Sequence, residues 1–160
     1  MHRFTLDDSV GEFCYFGQLK IPEKPKTIYS CNEGNYSLWD KEIQEATDAF
    51  KAGPKPYSAR YVGSMVSDVH RTLLYGGIFG YAADTKNKAG KLRLLYEAAP
   101  MAFLVEQAGG IATTGRDRIM DIEPSNVHQR VPCILGSADD VNELKSYYAK
   151  TDKSADIYQG

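Results

Sequence analysis

The sequence predicts an α/β fold in which a mixed β-sheet carries helices on both faces. Three observations lead to this prediction. Short apolar segments typical of strands alternate with longer segments whose apolar residues recur every three or four positions, which is the spacing of an amphipathic helix. Residues 131–135 are nearly all apolar, as expected for a strand buried on both faces. Two glycine pairs and one Gly-Pro step separate segments, so the elements can pack as layers of one domain.

The first elements are a strand pair, a strand and a helix. Residues 3–16 alternate as an extended pair around a turn at residues 7–9, and residues 27–31 form a short strand. Ser37 and Asp40 have the spacing of a capping box, which predicts a helix beginning there and ending at Gly53. Its buried face is predicted from apolar spacings of four, three and four residues: Trp39, Ile43, Ala46 and Phe50.

The remaining elements alternate in the same way. A second helix ends at Gly76 and presents an apolar side made of Met65, Val66, Val69, Leu73 and Leu74. Two strands, 78–82 and 91–97, precede a third helix over 100–108, which buries Met101, Leu104, Val105 and Ala108. Strands at 111–113, 119–122 and 131–135 follow. Ser137 caps a last helix bearing Val141, Leu144 and Tyr148. Residues 1–150 are expected to form the domain, and 151–160 a flexible polar tail.

Composition narrows the class of function. The chain has 160 residues, enough for one domain with its own core. A net charge of −2 argues against nucleic acid, which requires a dense field of Lys and Arg. Apolar runs are too short to span a membrane, and no secretion signal is expected at the N-terminus. The three widely spaced cysteines indicate neither a zinc site nor a disulfide framework, so a reducing compartment is expected.

Residues 91–97, KLRLLYE, combine two cations with one carboxylate. On a strand, Lys91 and Arg93 would share a face, and Glu97 would fall at the carboxyl end, where open α/β sheets bind ligands. This pattern is typical of an anionic substrate held beside a metal ion. The alternative is a strand edge with solvated charges.

Two further segments could bind phosphate. Asn32 follows a strand and could donate its amide to a phosphate oxygen, although Asn-Glu-Gly is also an ordinary turn. Arg60 and Tyr61 precede a helix start at Gly63 and Ser64, where free backbone N–H groups could cradle an anion. The alternative is an exposed loop with an aromatic anchor.

The Ser64, Asp68 and His70 side chains do not form a catalytic triad. Within a helix, His70 is rotated about 200° from Asp68, so the three cannot make a hydrogen-bonded relay. His70 is expected to pack or to cap instead. Tyr81 ends a predicted strand and, taken alone, is a strand-forming aromatic residue.

The ordered set of motifs resembles fructose-1,6-bisphosphatase. The motifs are residues 32–34 (NEG), 58–65 (SARYVGSM), 68–77 (DVHRTLLYGG), 90–97 (GKLRLLYE) and 128–132 (HQRVP). The resemblance extends from about residue 4 to residue 148 but covers only the C-terminal half of that enzyme. It is strongest to the plastid-type plant and algal members, which implies the chloroplast stroma, with the cytoplasm as the alternative.

The resemblance implies hydrolysis of the 1-phosphate of fructose 1,6-bisphosphate with the help of Mg²⁺. It implies that Asn32, Tyr61 and Tyr81 bind the 6-phosphate, with Arg60 reaching in from a neighbouring subunit of a homo-oligomer, a tetramer in the full-length family. Lys91 and Arg93 would serve the sugar-phosphate region, the backbone at Met65 the sugar, and Glu97 the metal. The site residues that the resemblance implies are therefore Asn32, Arg60, Tyr61, Met65, Tyr81, Lys91, Arg93 and Glu97.

Two departures from the family pattern limit what can be carried over. Asn35 stands where animal members have tyrosine, so a phenolic donor is absent unless Tyr36 or Asn35 replaces it. The acidic Asp-Pro-x-Asp-Gly-Ser motif of the metal site is missing from the sequence, and Glu97 alone cannot organise Mg²⁺. The 160-residue chain is therefore expected to be inactive by itself.

Two other functions stay open at this stage. One is a related phosphatase acting on sedoheptulose 1,7-bisphosphate, because phosphate contacts do not distinguish ketose bisphosphates of different length. The other is a non-catalytic remnant that binds sugar phosphate or joins full-length subunits.

Overall fold

The centre of the fold is a mixed sheet of five strands, seen in a computed structural model that describes residues 1–150. The strands in the described chain are β1 (His2–Asp7), β2 (Glu12–Gln18), β3 (Ile28–Cys31), β4 (Ser58–Ala59), β5 (Ile78–Tyr81), β6 (Leu92–Arg93), β7 (Ile111–Thr113), β8 (Arg130–Val131) and β9 (Cys133–Gly136). The main sheet has the order β4-β3-β5-β9-β7. Strand β3 runs parallel to β4 and β5, whereas β9 runs antiparallel to β5 and β7.

Within residues 1–150, four α-helices cover this sheet. They are α1 (Lys41–Ala52), α2 (Met65–Tyr75), α3 (Ala99–Gln107) and α4 (Ala138–Tyr148). Two 3₁₀ helices, Glu33–Leu38 and Ile119–Asp121, and one π-helical turn, Leu94–Ala98, complete the regular structure.

Each face of the sheet has its own hydrophobic core. Side chains alternate along β5, so Ile78 packs with α1 and α4, while Phe79 packs with α2 and α3. The side chains of β9 alternate in the same way: Ile134 packs in the core with α1 and α4, and Leu135 packs in the core with α2 and α3. The predicted mixed sheet with helices on both faces is confirmed.

The N-terminal strands form a separate antiparallel hairpin. Phe4 pairs with Tyr15 and Leu6 with Phe13, so these four side chains share one face of the hairpin, and all are at least half exposed. The predicted extended pair around residues 7–9 is confirmed. The base of the hairpin is held to the domain where the Met1 ammonium group donates to the Gln107 carbonyl oxygen at 2.8 Å.

The predicted start of the first helix was wrong. Ser37 lies in the 3₁₀ helix, and α1 begins at Lys41 after an extended Asp40. Trp39 is buried before the helix rather than on it. The capping-box spacing is present, but Ser37 lies inside the 3₁₀ helix, and the N-cap of α1 is Asp40, which makes no side-chain capping bond. Gly53 ends the helix, as predicted.

The predicted strand over 91–97 is mostly helical. Only Leu92 and Arg93 are extended, and the chain then turns through the π-helical segment into α3. The physical reason is visible in the burial: Leu94, Ala98, Ala102 and Val105 are buried at helical spacings, so the helical period begins before Pro100. Glu97 is therefore on a helical turn and not at a strand end.

Two other strand predictions need correction. Residues 119–122 form a 3₁₀ turn in which Ile119 is buried. Residues 131–135 are divided at Pro132, which cannot donate to a ladder, into β8 and β9 in different sheets. Strand β9 is fully buried between β5 and β7, as its apolar sequence predicted.

Three helices lie where they were predicted, but the burial of some of their side chains differs from the prediction. Helices α2, α3 and α4 lie within a residue or two of their predicted bounds. Val66 and Leu104 are exposed, whereas Ala102 is buried. The predicted tail at 151–160 lies outside the described residues. Within residues 1–150, no helix is long and apolar enough to cross a membrane.

Gly90 packs closely against another backbone segment just before Lys91. The first testable prediction concerns its replacement by alanine. Gly90 has φ +84°, and a Cβ there would overlap the peptide between Val131 and Pro132. We expect Gly90→Ala to lower the free energy of unfolding by about 3 kcal/mol or more. Gly109→Ala is the control: Gly109 has φ +88° but nothing within 4 Å of its Cβ position. It should cost about 1–2 kcal/mol, from backbone strain alone.

Urea unfolding followed by circular dichroism measures both variants. Equal losses of stability in the two would show that Val131 and Pro132 yield to the added methyl group and that Gly90 is not needed for close packing.

Candidate functional site

Parallel pairing of β3 with β5 brings Asn32 beside Tyr81. Cys31 is paired with Gly80, so the residues that follow each strand emerge next to each other at the carboxyl edge of the sheet. Asn32 caps the 3₁₀ helix, and its side-chain oxygen accepts from the Gly34 N–H at 3.2 Å. With the oxygen so engaged, the amide NH₂ is the part of Asn32 able to donate to an anion.

Tyr61 and Lys91 join Tyr81 at this edge. Burial, the neighbouring Tyr81 and the Asp68 carboxylate raise the pKa of Tyr61 above its ordinary value, so its hydroxyl is a neutral donor at pH 7. The Lys91 ammonium lies 5.8 Å from the centre of the Tyr81 ring. Lys91 is exposed and Tyr61 is 36% exposed, so both are accessible to a ligand from solvent. We call Asn32, Tyr61, Tyr81 and Lys91 the donor cluster.

A narrow cleft opens within the donor cluster. Asn32 and Tyr81 line it together with Asn35, and it encloses about 10 Å³, room for one water-sized group. An anion the size of phosphate would therefore bind outside it, on the exposed donors. Tyr36 does not contribute, because its hydroxyl donates to Asp48 at 2.6 Å. Of the two residues considered as replacements for the absent tyrosine, only Asn35 lines the cleft.

Two backbone N–H groups of the loop before α2, those of Val62 and Gly63, are not free to bind an anion. The Val62 N–H donates to Asp68 Oδ1 at 3.0 Å, and the Gly63 N–H donates to Asp68 Oδ2 at 3.1 Å. Ser64 is the N-cap of α2 but makes no side-chain capping bond. A phosphate cradle built on these two N–H groups is therefore excluded in this conformation, since an internal carboxylate already accepts from them.

Asp68 is the centre of a buried polar cluster that the sequence analysis missed. It is fully buried and receives hydrogen bonds from Ser30 Oγ at 3.0 Å and from the Arg71 guanidinium at 2.6 Å. The signal in the sequence was the polar Ser30 inside an apolar strand, together with Asp68 and Arg71 three residues apart. His70 is exposed on α2, so of its two expected roles, packing or capping, packing is excluded.

Arg60 lies apart from the donor cluster. It is exposed, and its guanidinium donates to the Ala59 carbonyl oxygen at 2.7 Å. Arg60 lines a groove of about 570 Å³ with Lys26, Arg71 and Tyr75. Adjacent residues of the extended loop thus face different surfaces, as expected from strand-like alternation.

Met65 is the first residue of α2. Met65 and Tyr81 both pack against the hydrophobic core that contains Phe79. The start of α2 and the end of β5 therefore border the same core.

Arg93 and Glu97 pair with each other instead of facing an open metal position. Glu97 Oε2 accepts from the Arg93 N–H at 2.7 Å, and Oε1 lies 3.6 Å from the Arg93 guanidinium. Lys91 and Arg93 flank the buried Leu92 but meet different partners. No group of three or more His, Cys, Asp or Glu side chains within residues 1–150 could hold a metal ion. The described residues alone therefore do not fit Mg²⁺, which requires several oxygen ligands.

Comparison with known proteins identifies the family. Residues 21–149 match the family model of the fructose-1,6-bisphosphatase C-terminal domain. The chain belongs to the fructose-1,6-bisphosphatase family. The β1–β2 hairpin precedes the matched range, and the donor cluster, the Asp68 cluster and the Arg93–Glu97 pair all lie within it.

Curated fructose-1,6-bisphosphatases match almost the whole chain. The chloroplastic enzyme of Brassica napus is 55% identical over 150 residues, 91% of this chain and 36% of its own length. The chloroplastic enzyme of Spinacia oleracea is 53% identical over 93% of this chain and 37% of its own length. The cytosolic enzyme of Saccharum hybrid is 53% identical over 95% of this chain and 45% of its own length. The chain thus spans less than half the length of these relatives.

Proposed function

We propose that this chain supplies the sugar-phosphate-binding half of an enzyme that hydrolyses the 1-phosphate of fructose 1,6-bisphosphate to fructose 6-phosphate. The observation that supports the proposal most directly is the donor cluster, which gathers an amide, two phenols and an ammonium group at the carboxyl edge of the sheet. The family and the names of its relatives supply the substrate and the reaction.

The chemistry of the donor cluster suits the 6-phosphate, the group that does not react. Neutral O–H and N–H donors bind a dianion by charge-assisted hydrogen bonds, and Lys91 supplies a positive charge. Such contacts are equally strong before and during hydrolysis at the other end of the sugar. They hold the substrate in place and do not stabilise the transition state selectively.

The reacting end requires residues that residues 1–150 do not supply. In this family Mg²⁺ would polarise the phosphoryl group and activate water. We assign Glu97 as one ligand, released from Arg93 in the complete site, and Met65 and Arg93 to the sugar region. The remaining metal ligands would come from another part of a longer protein or from a partner. We place this protein in the chloroplast stroma, on the strength of the chloroplastic relatives, with the cytoplasm as the alternative.

We predict that the 160-residue chain alone shows no Mg²⁺-dependent phosphatase activity. The reason is that one carboxylate cannot hold the ion, and we expect Mn²⁺ to bind with a dissociation constant of about 1 mM or weaker. Phosphate release from fructose 1,6-bisphosphate and paramagnetic broadening by Mn²⁺ measure the two properties. Turnover by the purified chain that disappears in Glu97→Gln would contradict the proposal.

A further prediction separates binding from catalysis. In the chain, Tyr81→Phe and Asn32→Ala should each weaken binding of fructose 6-phosphate by about 1–3 kcal/mol, because each removes a hydrogen bond to a charged group. Titration calorimetry measures the loss. Tyr96→Phe is the matched control, since the Tyr96 hydroxyl contacts His128 and not the donor cluster.

The same variants give opposite kinetic signatures in a full-length protein. Tyr81→Phe should mainly raise KM, whereas Glu97→Gln should mainly lower kcat. If Tyr81→Phe lowers kcat and leaves KM unchanged, Tyr81 does not bind the distal phosphate. A preference for sedoheptulose 1,7-bisphosphate in the same assay would replace the proposed substrate.

Another prediction concerns Arg60 and a homo-oligomer. Since Arg60 faces away from Tyr61, we propose that it completes the phosphate site of an adjacent subunit, in a tetramer of full-length chains. Arg60→Ala and Tyr61→Phe should each weaken substrate binding in the full-length protein. Mixed oligomers of the two variants should regain some intact sites, and thus some affinity. If subunit exchange is verified by mass spectrometry and no mixture binds better than its parents, the site is not shared.

A further inference from the structure

Both peptide groups that flank Tyr61 are anchored from inside the protein. On the N-terminal side, the Arg60 carbonyl oxygen accepts from Ser30 Oγ at 2.6 Å and from the Arg71 guanidinium at 2.7 Å. On the C-terminal side, Asp68 accepts the Val62 N–H and the Gly63 N–H. These contacts fix the backbone immediately before and after Tyr61.

The anchors converge on one carboxylate. Ser30 and Arg71, which bind the Arg60 carbonyl oxygen, also bind Asp68 Oδ1. Ser30 has a single hydroxyl proton to share between the Arg60 oxygen and Asp68, so the Arg71 guanidinium supplies the other donors to these acceptors. Asp68 therefore completes a network on both sides of Tyr61, while its own side chain is fully buried behind the loop.

The network requires a charged carboxylate. Burial alone would raise the pKa of Asp68, but hydrogen bonds from Val62, Arg71, Ser30 and Gly63 outweigh it and hold the pKa below its ordinary value. A carboxylate offers four lone-pair directions and no donor, which matches four donors converging on it. A neutral amide of the same shape would place its NH₂ group against donors.

We infer that Asp68 is the positioning residue that holds Tyr61 in the phosphate-binding geometry, acting through the backbone of residues 60–63. The inference rests on the proposed function, because that function makes Tyr61 a phosphate ligand. Gly63 has φ +89°, so the loop turns sharply between Tyr61 and α2. The two N–H groups on either side of Val62 are held in that turn by Asp68, and the Tyr61 ring is thereby directed to Tyr81.

The test compares two buried aspartates changed in the same way. Asp68→Asn removes the charge and one acceptor from the loop network. Asp140→Asn makes the same chemical change at another buried carboxylate, which binds the Tyr57 hydroxyl at 2.6 Å on the opposite face of the sheet. Amide hydrogen exchange by NMR reports the loop directly in the full chain, without any ligand.

We expect the Val62 and Gly63 amides to exchange at least about 10-fold faster in Asp68→Asn than in the wild type or Asp140→Asn. Affinity for fructose 6-phosphate should fall about 10-fold in Asp68→Asn and stay unchanged in Asp140→Asn. If Asp68→Asn does not fold, Ser30→Ala serves in its place, because it removes one donor to the Arg60 carbonyl oxygen. It should weaken binding while retaining the fold.

A double-mutant cycle separates positioning from general stability. If Asp68 acts through Tyr61, Asp68→Asn should weaken binding much less in a Tyr61→Phe background than alone. Additive losses, or unchanged exchange at Val62 and Gly63, would overturn the inference. A wild-type chain that fails to bind fructose 6-phosphate would instead contradict the proposed function, and the exchange rates would still decide whether Asp68 fixes the loop.

Discussion

The parallel pairing of β3 with β5 is the constraint on which the candidate site depends. Because the two strands run in the same direction with Cys31 opposite Gly80, their carboxyl ends reach the sheet edge together. Asn32 and Tyr81 are consequently neighbours although 49 positions apart in the printed sequence. The pairing itself is held by the cores on both faces, since Ile78 and Phe79 point to opposite sides and are both buried. The packing that stabilises the sheet therefore also positions Asn32 and Tyr81.

Hydrogen bonds within the protein then determine which donors remain available to a ligand. The start of α2 presents backbone N–H groups of the kind that bind phosphate in other proteins. Here Asp68 accepts two N–H groups of the preceding loop, at Val62 and Gly63, so the protein uses them to fix its own chain. The proposed function therefore assigns anion binding chiefly to side chains, the Tyr61 phenol and the Lys91 ammonium among them. A fixed loop with side-chain donors loses less entropy on binding than a mobile one.

The layered fold and the family could be predicted from sequence, because periodicity reports burial and the motifs occur in a distinctive order. Strand β9 was recognisable from its apolar run, and α2 from its spacing. The segment ending at Glu97 was mispredicted because Leu92 and Leu94 fit a strand as well as a helix, and only the burial of Ala98 decides between them. The Asp68 network was not predictable in detail, since it joins a strand, a loop and a helix through tertiary contacts.

Under the proposed function, the charges assigned to the two ends of the substrate differ in kind. The donor cluster contains one cation, Lys91, and neutral donors, whereas the one carboxylate assigned to the reacting end, Glu97, accepts from Arg93. A carboxylate held by a cation and a backbone N–H is a weak metal ligand until another charge draws it away. Metal ions brought by further acidic ligands would compete with Arg93 for Glu97 and free the guanidinium for the substrate. If the proposed function holds, this chain would bind the sugar phosphate before the reacting end is assembled, and the Arg93–Glu97 pair would couple the two ends.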